Sequence, residues 1–265
     1  MKTENAAENV APEGVESENA ESVLSRRALL GYAGVGALGI AALAASSAPV
    51  WAAQGVSDVD ILNFALNLEY LEAEYYTMTL TGKNLQQVGI GVEGRGTLGP
   101  TMGGGQLNFS DPMLAAVARE LTFDEQQHVK FIRSVLGSRA VAKPALNLLG
   151  LGIGFGSDAE YLTVARAMED TGTSAYIGAS TMLQSKTILG AAARILADEA
   201  YHMGNVRLMI AQKNITVPRL DGVDILPPPA GNRFFFADSF GLTPPRTMEQ
   251  VKAIVRPFFP NGMNV

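Results

Sequence analysis

Apolar side chains recur three and four residues apart in four long segments of the chain, which is the spacing of one face of an α-helix. The pattern predicts helices over about 58–80, 112–137, 158–183 and 186–209. Typical helix starts precede three of them: Asp111 before Pro112, then Ser157 and Ser185. No comparable alternation of apolar and polar residues indicates a sheet. Because each apolar face needs a partner to bury against, we predict an all-α four-helix bundle.

The predicted connections between the helices differ in length. A few residues near Gln184 join helices three and four, which makes these two antiparallel neighbours, whereas about twenty residues separate helices two and three, enough for a long crossover. The Gly-rich segment 82–110 lacks the spacing of a phosphate-binding loop and is interpreted as a surface loop within a bundle domain of residues 53–212. Residues 213–265, rich in proline and phenylalanine, are predicted to pack on the bundle as a tail with one short helix near 247–255.

Residues 1–52 are predicted to be a disordered lead and a targeting segment. Arg26 and Arg27 precede an uncharged run at 28–48, and small residues follow it. This order is typical of a twin-arginine signal, with cleavage after Ala52 and export of the folded protein to the periplasm or the outside. An uncleaved membrane anchor is the alternative, since the run is long enough to span a bilayer. After cleavage we expect no stable membrane insertion.

Charge and cysteine content narrow the function classes. The net charge is -6, and it is about -3 once residues 1–52 are removed, a balance that gives no support to nucleic-acid binding, which usually needs a basic patch. The sequence contains no cysteine, which excludes a disulfide framework and a thiolate nucleophile.

Each predicted inward face carries a glutamate near its midpoint: Glu69, Glu125, Glu169 and Glu199. His128 and His202, the two histidines of the chain, follow Glu125 and Glu199 by about one helical turn. Glu199 follows Glu125 by 74 residues along the chain, and His202 follows His128 by the same number. Tyr76 and Tyr176 follow the other two glutamates by two turns, so the sequence predicts two similar helix pairs related by a pseudo-twofold axis.

Four carboxylates facing one another in a core carry a large energetic cost unless something neutralises them. Two divalent cations neutralise four carboxylates. Glutamate oxygens with one imidazole per metal form a ligand set suited to iron or manganese with open coordination positions. We therefore predict two divalent metal ions in the bundle, with iron preferred and manganese as the alternative.

The LEYLEAEYY start, the paired DExxH motifs and the RTMEQVKAIV segment resemble the exported, desiccation-related branch of the ferritin-like superfamily. The resemblance implies that the metal ligands are Glu69, Glu125, His128, Glu169, Glu199 and His202, with Glu125 and Glu199 or their partners bridging. It also implies that Asp124 and Asp198 hydrogen-bond the ligand histidines and that Tyr76 and Tyr176 lie beside the metals.

Several assignments stay open at this point. Glu72 lies one turn from Glu69 and could replace or assist it, although the repeat of the glutamate-to-tyrosine spacing favours Glu69. The tyrosines could be buried hydrogen-bonding residues or redox participants. The aspartates could also be solvated residues that flank the site.

The resemblance implies a redox protein that reacts with O2 or peroxide in oxidative or desiccation stress. A dimanganese site that disproportionates peroxide as in catalases is one alternative. A structural protective protein with a non-catalytic metal site is another. The long tail disfavours a storage cage and leaves a small homo-oligomer as an option.

Overall fold

The computed structural model describes residues 55–265, so the predicted lead and signal segment, residues 1–52, lies outside the described residues. Five α-helices make up most of the described part: α1 Asp58–Thr81, α2 Pro112–Leu136, α3 Asp158–Ser180, α4 Lys186–Gln212 and α5 Met248–Val255. The fold is the predicted all-α bundle. Within residues 55–265, no helix combines the length and the apolar character needed to cross a membrane.

Capping residues set the first turn of each long helix. Ser57 and Asp60 form a reciprocal capping box at the start of α1, and Asp111 accepts hydrogen bonds from two backbone amides ahead of α2. Ser157 and Ser185 cap α3 and α4 through their side chains. The helix starts that the sequence predicts are therefore confirmed, and each has its backbone donors satisfied by a short polar side chain.

The bundle is built from two helix pairs. The helix α1 packs chiefly on α2, and α3 packs chiefly on α4, while α1 and α3 contact each other across the middle. The small α5 packs on α3. Each of the four long helices carries one of the predicted glutamates, and this packing brings all four glutamates to the centre of the bundle.

The Gly-rich loop and the crossover pack against each other, which the surface-loop interpretation did not anticipate. Strand β1, Thr101–Met102, pairs in parallel with strand β2, Leu146–Asn147. At Gly99 a Cβ atom would lie 2.0 Å from the backbone nitrogen of Ala145, so glycine permits the close approach of the two backbones. The loop side chains Leu85, Ile90, Val92 and Leu107 are buried.

The C-terminal segment lies on the bundle and is joined to it by hydrogen bonds from buried arginines. Arg246 donates two hydrogen bonds to Asp221 at 2.9 and 3.0 Å and one to the backbone oxygen of Asp170 on α3 at 2.9 Å. Arg207 on α4 donates to the Asp170 carboxylate at 2.7 Å. This network fixes α3 and α4, the second helix pair, from outside the bundle.

Candidate metal centre

Two overlapping groups of buried side chains lie in the middle of the bundle. Each group offers four ligand-type atoms, all within 4.8 Å of one another. Both groups share two glutamates, Glu125 and Glu199, which lie one on each DExxH helix. The first group adds Glu69 and His128, and the second adds Glu169 and His202. The structure thus brings together all six residues predicted as ligands.

The histidines turn the same ring atom toward the carboxylates. Nδ1 of His128 lies 3.2 Å from Oε2 of Glu69 and 3.4 Å from Oε2 of Glu125. Nδ1 of His202 lies 3.0 Å from Oε1 of Glu125 and 3.5 Å from Oε2 of Glu169. The two oxygens of Glu125 therefore face different histidines, which is the placement expected of a bridging carboxylate.

The outer ring atoms of the histidines face the two aspartates in a crossed arrangement. Nε2 of His128 lies 3.1 Å from Asp198, which belongs to the DExxH motif of α4. Nε2 of His202 lies 3.3 Å from Asp124, which belongs to the motif of α2. Each aspartate is thus placed to fix the ring orientation of the histidine on the opposite helix.

The two tyrosines are crossed in the same way. The Tyr76 hydroxyl of α1 donates a hydrogen bond to Glu169 of α3, and the Tyr176 hydroxyl of α3 donates one to Glu69 of α1. Both tyrosines are buried. Each hydroxyl satisfies one oxygen of a glutamate and leaves the second oxygen, Oε2, free to face the cluster.

The remaining polar atoms of the cluster fit a metal site. Eight buried atoms have no hydrogen-bond partner: Nδ1 of both histidines, Oε2 of Glu69 and Glu169, and both oxygens of Glu125 and Glu199. Such orphaned groups are rare in native cores, because each costs free energy when it leaves water. All eight carry lone pairs suited to a divalent ion. The donor set and its convergence therefore suit metal binding at this place.

Comparison with known sequences decides the family. The family model of the ferritin-like domain matches residues 57–212, more than half of the chain. The chain belongs to the ferritin-like domain family. The matched range covers all four long helices, and the buried carboxylate and histidine cluster lies wholly within it.

Two curated relatives support the desiccation-related branch of the superfamily. The chain is 25% identical to the desiccation-related protein PCC13-62 of Craterostigma plantagineum over 174 residues, 59% of this chain and 54% of the relative. It is 29% identical to the ferritin-like catalase Nec2 of Nesocodon mauritianus over 96 residues, 35% of this chain and 28% of the relative. The chain thus spans about half the length of the first relative and about a quarter of the second.

Burial and mutual charge shift the pKa values of the side chains in the ferritin-like cluster. Burial raises the pKa of Glu69 to about 7, although the positive charge of His128 opposes the shift. Burial lowers the pKa of His128, but the charges of Glu69 and Glu125 outweigh it and raise that pKa to about 12. Burial and the neighbouring carboxylates hold the pKa of Glu199 well above its usual range. In the absence of metal, protons therefore provide the positive charge that the glutamates need.

Glu72 lies beside the ferritin-like cluster rather than within either group of four. Its carboxylate is buried, and its pKa is raised by burial and next by the charge of Glu199. Both side chains approach Gly172 of α3. A Cβ atom at this position would lie 2.5 Å from Oε2 of Glu199 and 3.0 Å from Oε1 of Glu72. The sequence pattern indicates no function for Gly172. The offset of 100 residues that relates Glu69 to Glu169 also relates Glu72 to Gly172, and this offset could have drawn attention to it.

A cavity of about 330 Å³ opens between α2 and α4 and reaches the outer side of the site. His128 and Asp198 form part of its wall, together with Gln127, Phe131, Ala191, Arg194, Ile195, Ala197 and Tyr201. The spacing along either helix does not predict this cavity, because it forms between two helices that are distant in sequence. It provides a route by which a small molecule could reach His128.

Proposed function

We propose that the chain is an exported, ferritin-like protein that binds two divalent metal ions, with iron preferred, and reacts with O2 or peroxide. The ligands in this proposal are Glu69, Glu125, His128, Glu169, Glu199 and His202, with Glu125 and Glu199 shared between the ions. The fold, the buried cluster and the family membership support a di-metal protein. Export rests on the signal-like pattern within residues 1–52.

The observation that carries the proposal is the set of eight orphaned ligand atoms at one place in the core. Four glutamates converging in a core are costly to bury as carboxylates, and two divalent cations at this place would neutralise them without protons. When bound, a pair of reduced ions would supply one electron each. Two electrons and two protons convert one peroxide molecule to two water molecules.

The side chains around the cluster would hold the ligands in place during such a reaction. The crossed aspartates keep both imidazoles turned with Nδ1 inward, and the crossed tyrosines hold Glu69 and Glu169 through their outer oxygens. The cavity beside His128 would admit a small oxidant, while the apolar side chains around the core exclude bulk water.

Metal content measured together with peroxide consumption tests the proposal. We expect protein purified from its native compartment to contain two iron ions per chain and to consume peroxide or O2 in its reduced form. Glu125→Gln and His202→Ala should lower the metal content. Unchanged metal content in both variants would refute the ligand assignment.

Similarity to a protein named as a ferritin-like catalase favours a second candidate, peroxide disproportionation at a dimanganese site. The two candidates differ in their need for an electron source. Disproportionation yields O2 from peroxide without a reductant, so oxygen evolution from peroxide alone, with manganese in the purified protein, would favour the second candidate over the first.

Similarity to a desiccation-related protein favours a third candidate, a protective protein whose metals only stabilise the bundle. In that case chelation should lower the melting temperature, because ligand binding to the folded state adds stability. Addition of Fe(II), peroxide or O2 should then produce no turnover, which is the result that separates this candidate from the other two.

A further inference from the structure

Glu72 is a fifth buried carboxylate on the same helix face as Glu69, one turn farther along α1. It is 3% exposed. Within residues 55–265 no hydrogen bond and no ion pair to the Glu72 carboxylate is found. The charges that act on it are those of the glutamates in the cluster, with that of Glu199 the largest. A buried carboxylate without a partner is costly, so its retention needs a reason.

Gly172 explains how this carboxylate fits beside the cluster. Its missing side chain leaves the space into which Oε2 of Glu199 and Oε1 of Glu72 both point, at 2.5 and 3.0 Å from the ideal Cβ position. The two oxygens therefore lie on either side of the same small space, which a side chain at position 172 would fill. A water-sized cavity of about 10 Å³, lined in part by Glu72 and Gly172, leaves room for the Glu72 carboxylate to move.

The pair Glu72 and Gly172 also breaks the twofold pattern of the site. The 100-residue offset that relates Glu69 to Glu169 and Tyr76 to Tyr176 places a carboxylate on α1 opposite a glycine on α3. The centre therefore has one additional oxygen ligand available on one side, with no counterpart on the other.

We propose that Glu72 is a fifth carboxylate ligand of the metal centre, that it binds beside Glu199 in the space left by Gly172, and that it makes the two ion positions unequal. This inference rests on the di-metal centre proposed above. Carboxylate oxygen is a ligand type that both iron and manganese accept. In the described conformation Glu72 lies outside both groups of four, so it would reach an ion by turning its carboxylate toward Glu199.

Metal binding by Glu72→Gln tests the inference, because glutamine keeps the shape and removes the charge. Metal-free protein would be titrated with Mn(II) and followed by equilibrium dialysis. We expect wild type to bind two ions and Glu72→Gln to bind one of them about ten- to a hundredfold more weakly, with the other unchanged. The metal-free variant should melt close to the wild-type temperature, since the substitution keeps the shape and breaks no hydrogen bond or ion pair found at Glu72.

Glu74→Gln is the matched control on the same helix. Glu74 is also buried, but it pairs with Lys143 at 3.5 Å and accepts a hydrogen bond from Thr101 at 2.7 Å, away from the cluster. Its loss should lower the melting temperature and leave both Mn(II) affinities unchanged. If Glu72→Gln binds both ions as wild type does, or loses both, the inference about Glu72 is wrong. If wild type itself binds no Mn(II), the proposed metal centre fails instead.

Discussion

Tyr76 on α1 donates its hydroxyl hydrogen bond to Glu169 on α3, whereas Glu69, on the same helix as Tyr76, accepts the bond from Tyr176. The recurring glutamate-to-tyrosine spacing is therefore not a pair within one helix. Each tyrosine crosses the bundle to support the carboxylate of the other half, so each helix pair holds a glutamate of the other in place.

Replacing either tyrosine by phenylalanine should destabilise the fold without removing metal. Tyr76→Phe and Tyr176→Phe each remove the donor to a buried carboxylate, and we expect each to lower the free energy of unfolding by about 1 to 3 kcal/mol. Metal content should stay at the wild-type level, because neither hydroxyl belongs to the convergent ligand atoms. Chemical denaturation and metal analysis measure the two effects.

Tyr161→Phe serves as the control for the tyrosine variants. The Tyr161 ring is buried in the same core, but its hydroxyl has no hydrogen-bond partner. Removing that hydroxyl should leave stability unchanged or increase it. Equal destabilisation by Tyr161→Phe would contradict the importance given to the crossed hydrogen bonds.

The crossed aspartates predict which histidine each substitution perturbs. Asp198 lies 3.1 Å from Nε2 of His128 and 3.8 Å from Nε2 of His202, although His202 is on its own helix. Asp198→Asn should therefore perturb chiefly His128, and Asp124→Asn should perturb His202. Each should weaken metal binding by about ten- to a hundredfold.

Nuclear magnetic resonance of ¹⁵N-labelled histidine can check this crossing, since the chain contains two histidines. Each aspartate variant should shift the ring signals of the histidine on the opposite helix. Glu120→Gln, which removes an exposed charge from α2, should shift neither. A shift of the histidine on the same helix as the aspartate would show the assignment to be reversed.

Arg246 is predicted to hold the C-terminal segment on the bundle. It is fully buried, pairs with Asp221 and stacks on the Phe236 ring at 5.0 Å. Arg246→Met should lower the free energy of unfolding by about 1 to 3 kcal/mol, because it leaves the buried backbone oxygen of Asp170 without this donor and Asp221 without its cation. It should also speed proteolysis of the tail. Lys252→Met, which removes an exposed cation from α5, should change neither measurement.

Acid should weaken the ion pair between Arg246 and Asp221. Burial acts to raise the pKa of Asp221, but the hydrogen bonds from Arg246 outweigh it and hold the pKa below its usual value. A carboxyl with a lowered pKa in the folded state contributes stability above its unfolded pKa, and this contribution is lost as the pH falls through the folded value. The free energy of unfolding of wild type should therefore fall with pH in that acidic range. In Asp221→Asn the free energy of unfolding should depend less on pH there.

The sequence predicted the bundle and the six clustered residues because both follow from spacing along single helices. The partners of those residues did not follow from it. Asp198 and Tyr76 lie on known helix faces, yet which glutamate or histidine they reach depends on how α1 to α4 cross, and spacing along one helix does not specify that. The tail adds a similar effect, since Asn264 hydrogen-bonds the buried Asn67 of α1 and no spacing in the sequence relates these two residues.

Each four-residue group takes ligands from both halves of the chain, because Glu125 and Glu199 belong to both groups. A polypeptide of half this length could complete neither group alone and would need a second copy of itself. The centre therefore has the architecture of a symmetric homodimer carried within one chain. Joining the halves permits them to diverge, and the contrast between Glu72 and Gly172 is such a divergence, which two identical subunits could not encode.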